Sequence, residues 1–265
     1  MRLGRVRIER LALAALLIVT AVLLAGCGAF DSPQNTFSPE GEVASDQRDL
    51  FLLVMWPALV IMIGVLAACV YLLVRYRRRS DDEIPAQVHG NTRLELAWTI
   101  APTILLIGIA VPTLIGVVDL GRAADEEALD VTVYAYQWGW FFQYPDYIDG
   151  EGNAVTTTQL YVPAGEEVDY ALLSGTPTTP PDVIHSFWLP RLAGKQDVIP
   201  GRVNHLKFTA DTPGVYQGQC VEFCGIGHPI MRLELNAVAR TEFDSWVQEQ
   251  LDAGTVAPIR GASGP

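Results

Sequence analysis

Lysine is nearly missing from this chain: there are two in 265 residues, and Lys and Arg together number 18 against 30 Asp and Glu. A nucleic-acid binder needs a basic surface to displace counterions from phosphate, so that class is excluded. Cysteine and histidine are scarce too, at four each. No internal repeat and no low-complexity segment occurs. Apolar residues make up 50% of the chain and aromatics 9%, which excludes a disordered polymer. Charge is absent from half of the molecule in the net sense. Residues 1–118 carry 10 basic and 10 acidic side chains, net 0, whereas residues 119–265 carry 8 and 20, net −12. A single soluble domain of uniform character is therefore also excluded.

Charge is missing locally as well, from three apolar runs. The first, residues 11–24, follows Arg2, Arg5, Arg7 and Arg10 and ends Leu24-Ala25-Gly26-Cys27. A basic start, a short apolar stretch and small residues at its end form an export signal. The Leu-Ala-Gly-Cys order is similar to a bacterial lipoprotein signal, cut before Cys27, whose sulfur is then lipidated; the plainer alternative is an ordinary signal that happens to contain a cysteine. Residues 1–26 are read as this signal and 27–49, polar and without helical or strand period, as a tether. The second run (50–74) and third (96–118) carry no charge and are long enough to cross a hydrocarbon core of about 30 Å. Arg75, Arg77, Arg78, Arg79 and Arg93 lie between them and put that loop in the cytoplasm. Residues 50–118 thus form a transmembrane helical hairpin with both flanks outside. Glu95, at the cytoplasmic start of the third run, has two readings. It is a helix-start acid favoured by the macrodipole, or a proton-uptake group at the membrane surface.

From residue 130 the period becomes 2. Val131, Val133 and Ala135 alternate with Thr132, Tyr134 and Tyr136, and further short runs at 159–162, 167–173, 183–189, 202–209, 214–219 and 231–238 are separated by Pro and Gly turns. Many short strands with regular turns predict a sandwich or barrel. Thr241 and Asp244 are spaced as a helix capping pair, and Phe243, Trp246, Val247 and Leu251 then give one short amphipathic helix. The exported β domain is assigned to 119–252 and a flexible tail to 253–265.

Chemistry concentrates in Cys220-Val221-Glu222-Phe223-Cys224-Gly225-Ile226-Gly227-His228-Pro229-Ile230-Met231, which puts two thiols, an imidazole and a thioether into 12 residues. His185 stands 35 residues before Cys220 in a separate strand-like run. An exported cysteine pair often forms a disulfide, and zinc is a second alternative. The neighbouring His and Met argue for copper instead, because thiolate, thioether and imidazole together select it over zinc or hard cations. One blue-copper ion takes one Cys, two His and a weak Met. Two Cys, two His and one Met are too many for that, and suit two coppers bridged by both thiolates.

On these motifs the chain closely resembles subunit II of bacterial haem–copper cytochrome c oxidases, over about residues 48–251. The resemblance implies a membrane-anchored all-β protein: a two-helix transmembrane hairpin followed by an exported cupredoxin-like Greek-key β-barrel. It implies a dinuclear copper (CuA) centre with Cys220 and Cys224 as bridges, His185 and His228 as terminal ligands, Met231 as a weak axial ligand and the backbone carbonyl of Glu222 completing the set. The side chain of Glu222 would face a Mg or Mn ion shared with subunit I. In Tyr136-Gln137-Trp138-Gly139-Trp140-Phe141-Phe142, which composition alone reads as core aromatics on a strand, Trp138 matches the surface residue that accepts electrons from cytochrome c. Gly139 departs from the family, which often has a bulky aromatic there, and leaves the part of Trp140 open. Glu95-Leu96-Ala97-Trp98 resembles the segment whose Glu opens a proton path into subunit I. Lys195–Arg202 resembles a loop facing subunit I.

The implied function is electron entry into a proton-pumping cytochrome c oxidase of the bacterial cell membrane. The copper domain lies on the outer face, subunits I and III and a haem-c donor are the partners, and O2 chemistry takes place in another subunit. A copper-free quinol oxidase subunit II, a nitrogen-oxide reductase subunit and a copper-delivery lipoprotein are the alternatives. No Cys-x-x-Cys-His stretch occurs, so a covalent c-type haem on these residues is excluded and the donor is a separate haem. The net −12 of the exported part would steer a basic donor, with an association that weakens as salt rises. His205 reads as a strand-surface residue, Cys69 as a small apolar membrane residue and His89 as part of the cytoplasmic loop.

Overall fold

A computed structural model describes residues 32–78 and 90–260, together with residues 17, 19–21 and 87. Cys27 and His89 lie outside the described residues. The chain divides into two units, residues 46–123 and a second made of 1–45 with 124–265.

The first unit is two apolar helices. α1 runs Glu42–Arg75 and α2 runs Thr92–Leu120. At 34 and 29 residues they are about 51 and 44 Å long, more than a bilayer core needs. Both are long and apolar enough to cross a membrane. Each extends past the uncharged run that marks it in the sequence, because hydropathy reports the apolar length and not the hydrogen-bonded length. At the start of α2, Asn91 accepts from the N–H groups of Arg93 and Leu94 at 3.1 and 3.3 Å. This satisfies donors that have no partner inside the helix.

The second unit is a two-sheet β domain. Its strands are β1 Leu129–Tyr136, β2 Gly139–Ile148, β3 Asn153–Thr157, β4 Leu160–Pro163, β5 Glu167–Ser174, β6 His185–Trp188, β7 Lys195–Val198, β8 Asn204–Thr209, β9 Gly214–Cys220, β10 Arg232–Val238 and β11 Val256–Pro258. One sheet has the order β11-β3-β2-β1-β5-β8 and the other β4-β10-β9-β6-β7. The β1–β5 and β4–β10 pairs are parallel and the remaining pairs antiparallel. The parallel pairs require the chain to cross between sheets, which encloses one core. The alternation expected for β1 is present: Val131, Val133 and Ala135 are buried. They meet Phe142, Phe187 and Leu235 in that core, each such side chain contributing about 1.5–3 kcal/mol by leaving water.

Four of the differences from the sequence expectations concern β1, the tail, the last helix and the tether. Tyr134, on the opposite face of β1, is also buried, its hydroxyl donating to Gln143 Oε1 at 3.2 Å. Gln143 of β2 donates to the carbonyls of Ala257 and Pro258 at 3.3 and 3.2 Å. Part of the expected flexible tail is thus β11, an edge strand paired with β3. The third helix, α3 Arg240–Asp252, begins two residues earlier than the Thr241–Asp244 spacing suggests, and its N-cap, Ala239, offers no side-chain cap. Arg240 sets that start by pairing with Glu166 at 2.7 Å and Asp244 at 3.0 Å, while Phe243 and Val247 are buried as expected.

The fourth is the tether. Its end is helical from Glu42 and is strapped to the β domain. The Glu40 N–H donates to Arg191 O at 2.7 Å, Asp211 N–H to Glu40 O at 3.0 Å and Ala44 N–H to Leu192 O at 3.2 Å. Arg191 and Glu40 also pair at 2.6 Å; being half-exposed, that pair adds about 0.2–1 kcal/mol. Gly41 permits the approach, since a Cβ there would stand 2.7 Å from Thr209 O and 2.8 Å from Leu192 O, both backbone atoms. Gly41→Ala is expected to release the strap. Limited proteolysis of the full chain should then cut within 32–45 faster than in the wild type, with the β domain surviving; equal cutting rates would contradict the close approach.

Candidate metal centre

The strand order brings the sequence-distant donors together. β6 and β9 are neighbours, with Phe187 opposite Cys220, so His185 at the start of β6 stands beside Cys220 at the end of β9. Met231 immediately precedes β10, and its carbonyl accepts the Cys220 N–H at 2.9 Å. The loop between β9 and β10 carries Cys224 and His228. It turns at Gly225, whose φ of +116° favours glycine, and continues into one 3-10 turn, His228–Ile230.

The sulfur atoms of Cys220 and Cys224 are 3.8 Å apart, and both thiols are free. Nδ1 of His185 is 3.9 Å from Cys220 Sγ, and Nδ1 of His228 is 3.8 Å from Cys224 Sγ. Met231 Sδ lies 3.8 Å from Cys224 Sγ, and the Glu222 carbonyl 3.2 Å from Cys220 Sγ. The thiol pair is thus flanked by one imidazole nitrogen at each sulfur. His185, Cys220, Cys224 and Met231 are buried. Among the described residues, His185, Cys220 and Cys224 form the one group of His, Cys, Asp and Glu side chains close enough to hold a metal ion. Two soft sulfurs, two imidazole nitrogens, a thioether and a carbonyl oxygen form a donor set that suits copper and leaves hard cations poorly served. The Glu222 carboxylate joins no such group among the described residues.

Burial pushes the Cys224 thiol up to about 12, and the neighbouring Cys220 sulfur adds to the shift. A metal must therefore displace the Cys224 proton to bind. Burial also holds the His185 imidazole below its usual range, with Asp182 opposing. His185 is then neutral at pH 7, as a ligand must be.

The two tryptophans separate cleanly. Trp140 is buried, with its ring 5.5 Å from Phe187 and 6.3 Å from His185; it belongs to the core. Trp138 is 40% exposed, and its indole N–H donates to the Cys224 carbonyl at 3.0 Å. The Gln137 side chain donates to the same oxygen at 2.7 Å. Gly227 lies directly against the indole, where a Cβ would collide with the ring, and a Cβ at Gly225 would stand in tight contact, 3.1 Å from it. At Gly139 a Cβ would meet the Tyr136 hydroxyl at 2.5 Å, so a side chain there would displace that ring. Phe223, Ile226 and Ile230 of the ligand loop are 74%, 88% and 78% exposed. His205 is on the sheet surface, 3.0 Å from Asp169. Glu95 lies in the first turn of α2, where its carboxylate accepts the Asn91 N–H at 3.3 Å; this is the bond a helix-start acid makes.

Sequence reasoning missed Gln137 and Asp182. Each is a single polar residue in a turn, where no spacing rule applies. Asp182 accepts the Gln137 N–H at 3.0 Å and lies 3.5 Å from His185 Nε2.

Comparison with known proteins adds to this geometry. The family description "Cytochrome C oxidase subunit II, periplasmic domain" matches residues 129–238, and "Cytochrome C oxidase subunit II, transmembrane domain" matches 33–115. The quinol oxidase subunit 2 of Bacillus cereus is 31% identical over 249 residues, covering 89% of this chain and 79% of its own. The chain belongs to the cytochrome c oxidase subunit II family. The cytochrome c oxidase subunit 2 of Alkalihalophilus pseudofirmus is 39% identical over 234 residues, 86% of this chain; these span 65% of the relative's length, just under two thirds. Among solved structures, the periplasmic domain of subunit II of cytochrome oxidase from Bradyrhizobium japonicum is 29% identical, covering 50% of this chain and 97% of its own at a TM-score of 0.42. The fold is that of the family: two apolar helices followed by a cupredoxin-like β domain, in a membrane protein with an outer domain.

Gly227→Ala is expected to push the Trp138 indole off the loop. Its N–H resonance should move and exchange with solvent faster, and the other five indoles should stay in place. An unmoved Trp138 signal would show that the loop absorbs the extra carbon.

Proposed function

We propose that the chain is the electron-entry subunit of a bacterial cytochrome c oxidase, a dinuclear copper (CuA) protein working between a haem-c donor and the haem of subunit I, where O2 is reduced to water with proton pumping. On this reading its partners are subunits I and III, the anchor is the cell membrane and the β domain faces outward. The observation that carries the reading is the thiol pair with one imidazole Nδ1 at each sulfur. Cys220, Cys224, His185, His228, Met231 and the Glu222 carbonyl would hold the two ions. Bound there, the copper pair would supply one-electron storage.

The chain's own contribution is a stiff and dry surround. Cys220 and Met231 are tied through the backbone bond between β9 and β10, and His185 is fixed by the β6 ladder. Donors held this way move little when the charge at the site changes. Burial of both thiols excludes water and competing oxidants. Trp138 supplies an exposed aromatic face bonded directly to the carbonyl of a proposed ligand, Cys224, so a haem protein docked on it would stand next to the site. No open coordination position is implied, which suits relay and leaves O2 chemistry to another subunit.

The rival within the family is a copper-free quinol oxidase subunit 2, the name carried by the Bacillus cereus relative. Five intact sulfur and imidazole donors support the copper reading over it. The full chain is expected to take up two coppers and to give a mixed-valence EPR signal that Cys220→Ser abolishes. Clearly fewer than two coppers per chain, or no such signal, overturns the assignment. In the assembled oxidase, oxidation of cytochrome c measured against quinol identifies the donor class.

The same proposal gives Glu95 a part in proton entry, beside its bond to Asn91. Glu95→Gln keeps an oxygen for the Asn91 N–H and removes the ionisable group. Turnover of the assembled enzyme is expected to fall while the copper signal stays. Unchanged turnover leaves Glu95 with its helix-start role alone.

A further inference from the structure

Asp182 sits in the turn before β6 and is not a member of the donor cluster, yet its carboxylate touches both sides of the site. Oδ2 accepts the backbone N–H of Gln137 at 3.0 Å, in the turn that carries Trp138. Oδ1 accepts the Val183 N–H at 2.6 Å and the Ser174 hydroxyl at 3.0 Å. The same oxygen lies 3.5 Å from Nε2 of His185. The His185 ring is fully buried, and Nε2 has no hydrogen-bond partner of ordinary geometry. Asp182 is therefore the polar group that this nitrogen faces. The opposite ring nitrogen, Nδ1, points to Cys220 Sγ.

We propose that Asp182 is a positioning residue for the centre: it keeps the His185 proton on Nε2, which leaves the Nδ1 lone pair toward the thiols, and it holds the Gln137–Trp138 turn against the ligand loop. The proposal rests on the copper reading above. The physical reason is that a metal-ligating imidazole is oriented by the partner of its other nitrogen, and a carboxylate, which only accepts, fixes one tautomer. Asparagine could turn its amide donor toward Nε2 and favour the proton on Nδ1, the wrong side for a ligand. Ser174 and Val183 hold the carboxylate in place, so a single acid links electron-facing Trp138 and the ligand His185.

The test compares Asp182→Ala and Asp182→Asn with the wild-type full chain. There are four histidines, so nitrogen-15 labelling of histidine gives a simple spectrum in which each ring is assigned by removing one at a time. In metal-free wild type, His185 should show a proton on Nε2 and none on Nδ1. In both variants that proton should be shared with, or moved to, Nδ1, and copper affinity measured by competition should fall about 10- to 100-fold. In a chain that binds copper, both changes are needed. Weaker binding with an unchanged His185 signature would mark a merely structural role and overturn the proposal, and so would a changed signature with full affinity. If Asp182→Ala does not fold, the near-isosteric Asp182→Asn decides. A wild-type chain that takes up no copper would overturn the functional reading itself, and the ring-nitrogen signature would then alone decide whether Asp182 orients His185.

Discussion

The Cys224 carbonyl accepts two hydrogen bonds, from the Gln137 amide and the Trp138 indole, and these join the turn between β1 and β2 to the loop between β9 and β10. The two turns belong to different sheets. Without this bond the exposed tryptophan would be a surface side chain free to change rotamer, and the ligand loop would have its thiol side fixed and its outer side loose. Gly225 and Gly227 follow from the same constraint. The indole lies against the loop backbone, where a Cβ at Gly227 would collide with it, and Gly225 takes a positive φ that favours glycine. Asp182 extends the constraint inward, from the Gln137 N–H to the far nitrogen of His185. The turn that carries the aromatic face and the His185 imidazole thereby share one carboxylate neighbour.

The cluster needs this support because its donors come from three places. β6 brings His185, β9 brings Cys220, and the loop before β10 brings Cys224, His228 and Met231. Four of these lie within 12 residues, so their grouping was readable from spacing alone. Soft sulfur beside imidazole also carries its own chemical meaning. That His185 completes the group is a tertiary fact. The sequence offered His185 as a candidate second imidazole, the family resemblance implied its role, and the β6–β9 register places it beside Cys220. Gln137 and Asp182 left no trace in the sequence, because a side chain that bonds across sheets has no periodicity.

Legibility of the fold follows the same rule. β1 was readable from the alternation of Val131, Val133 and Ala135, although Tyr134 on its other face is buried too, and the amphipathic face of α3 from its 3.6-residue period. β3 and β11 were not, since strands of five and three residues owe their existence to their partners and not to their own pattern. The start of α3 was misplaced for a related reason. Thr241 and Asp244 have cap spacing, but Arg240, drawn to Glu166 and Asp244, already lies in the helix. Uncharged length marked the membrane segments, yet α1 begins eight residues before its uncharged run, where the strap at Glu40 and Gly41 holds the chain against the β domain.

The acidic balance that divides the sequence takes a more specific meaning from the exposed loop. Charge acts at a distance, across about 8–10 Å at physiological salt, whereas electron relay needs contact. The loop that meets Trp138 carries Phe223, Ile226 and Ile230, all exposed and uncharged, and under the proposed function these are the side chains a donor would meet. A haem protein arriving there would be oriented by the field of the net −12 domain and then seated on apolar side chains. Salt would change how often it arrives more than how well it seats. Replacing charges far from the loop and replacing Ile226 would consequently act on different steps, the first on association and the second on the seated complex. That separation is what an apolar tip on an acidic domain provides, and a uniformly charged face would not.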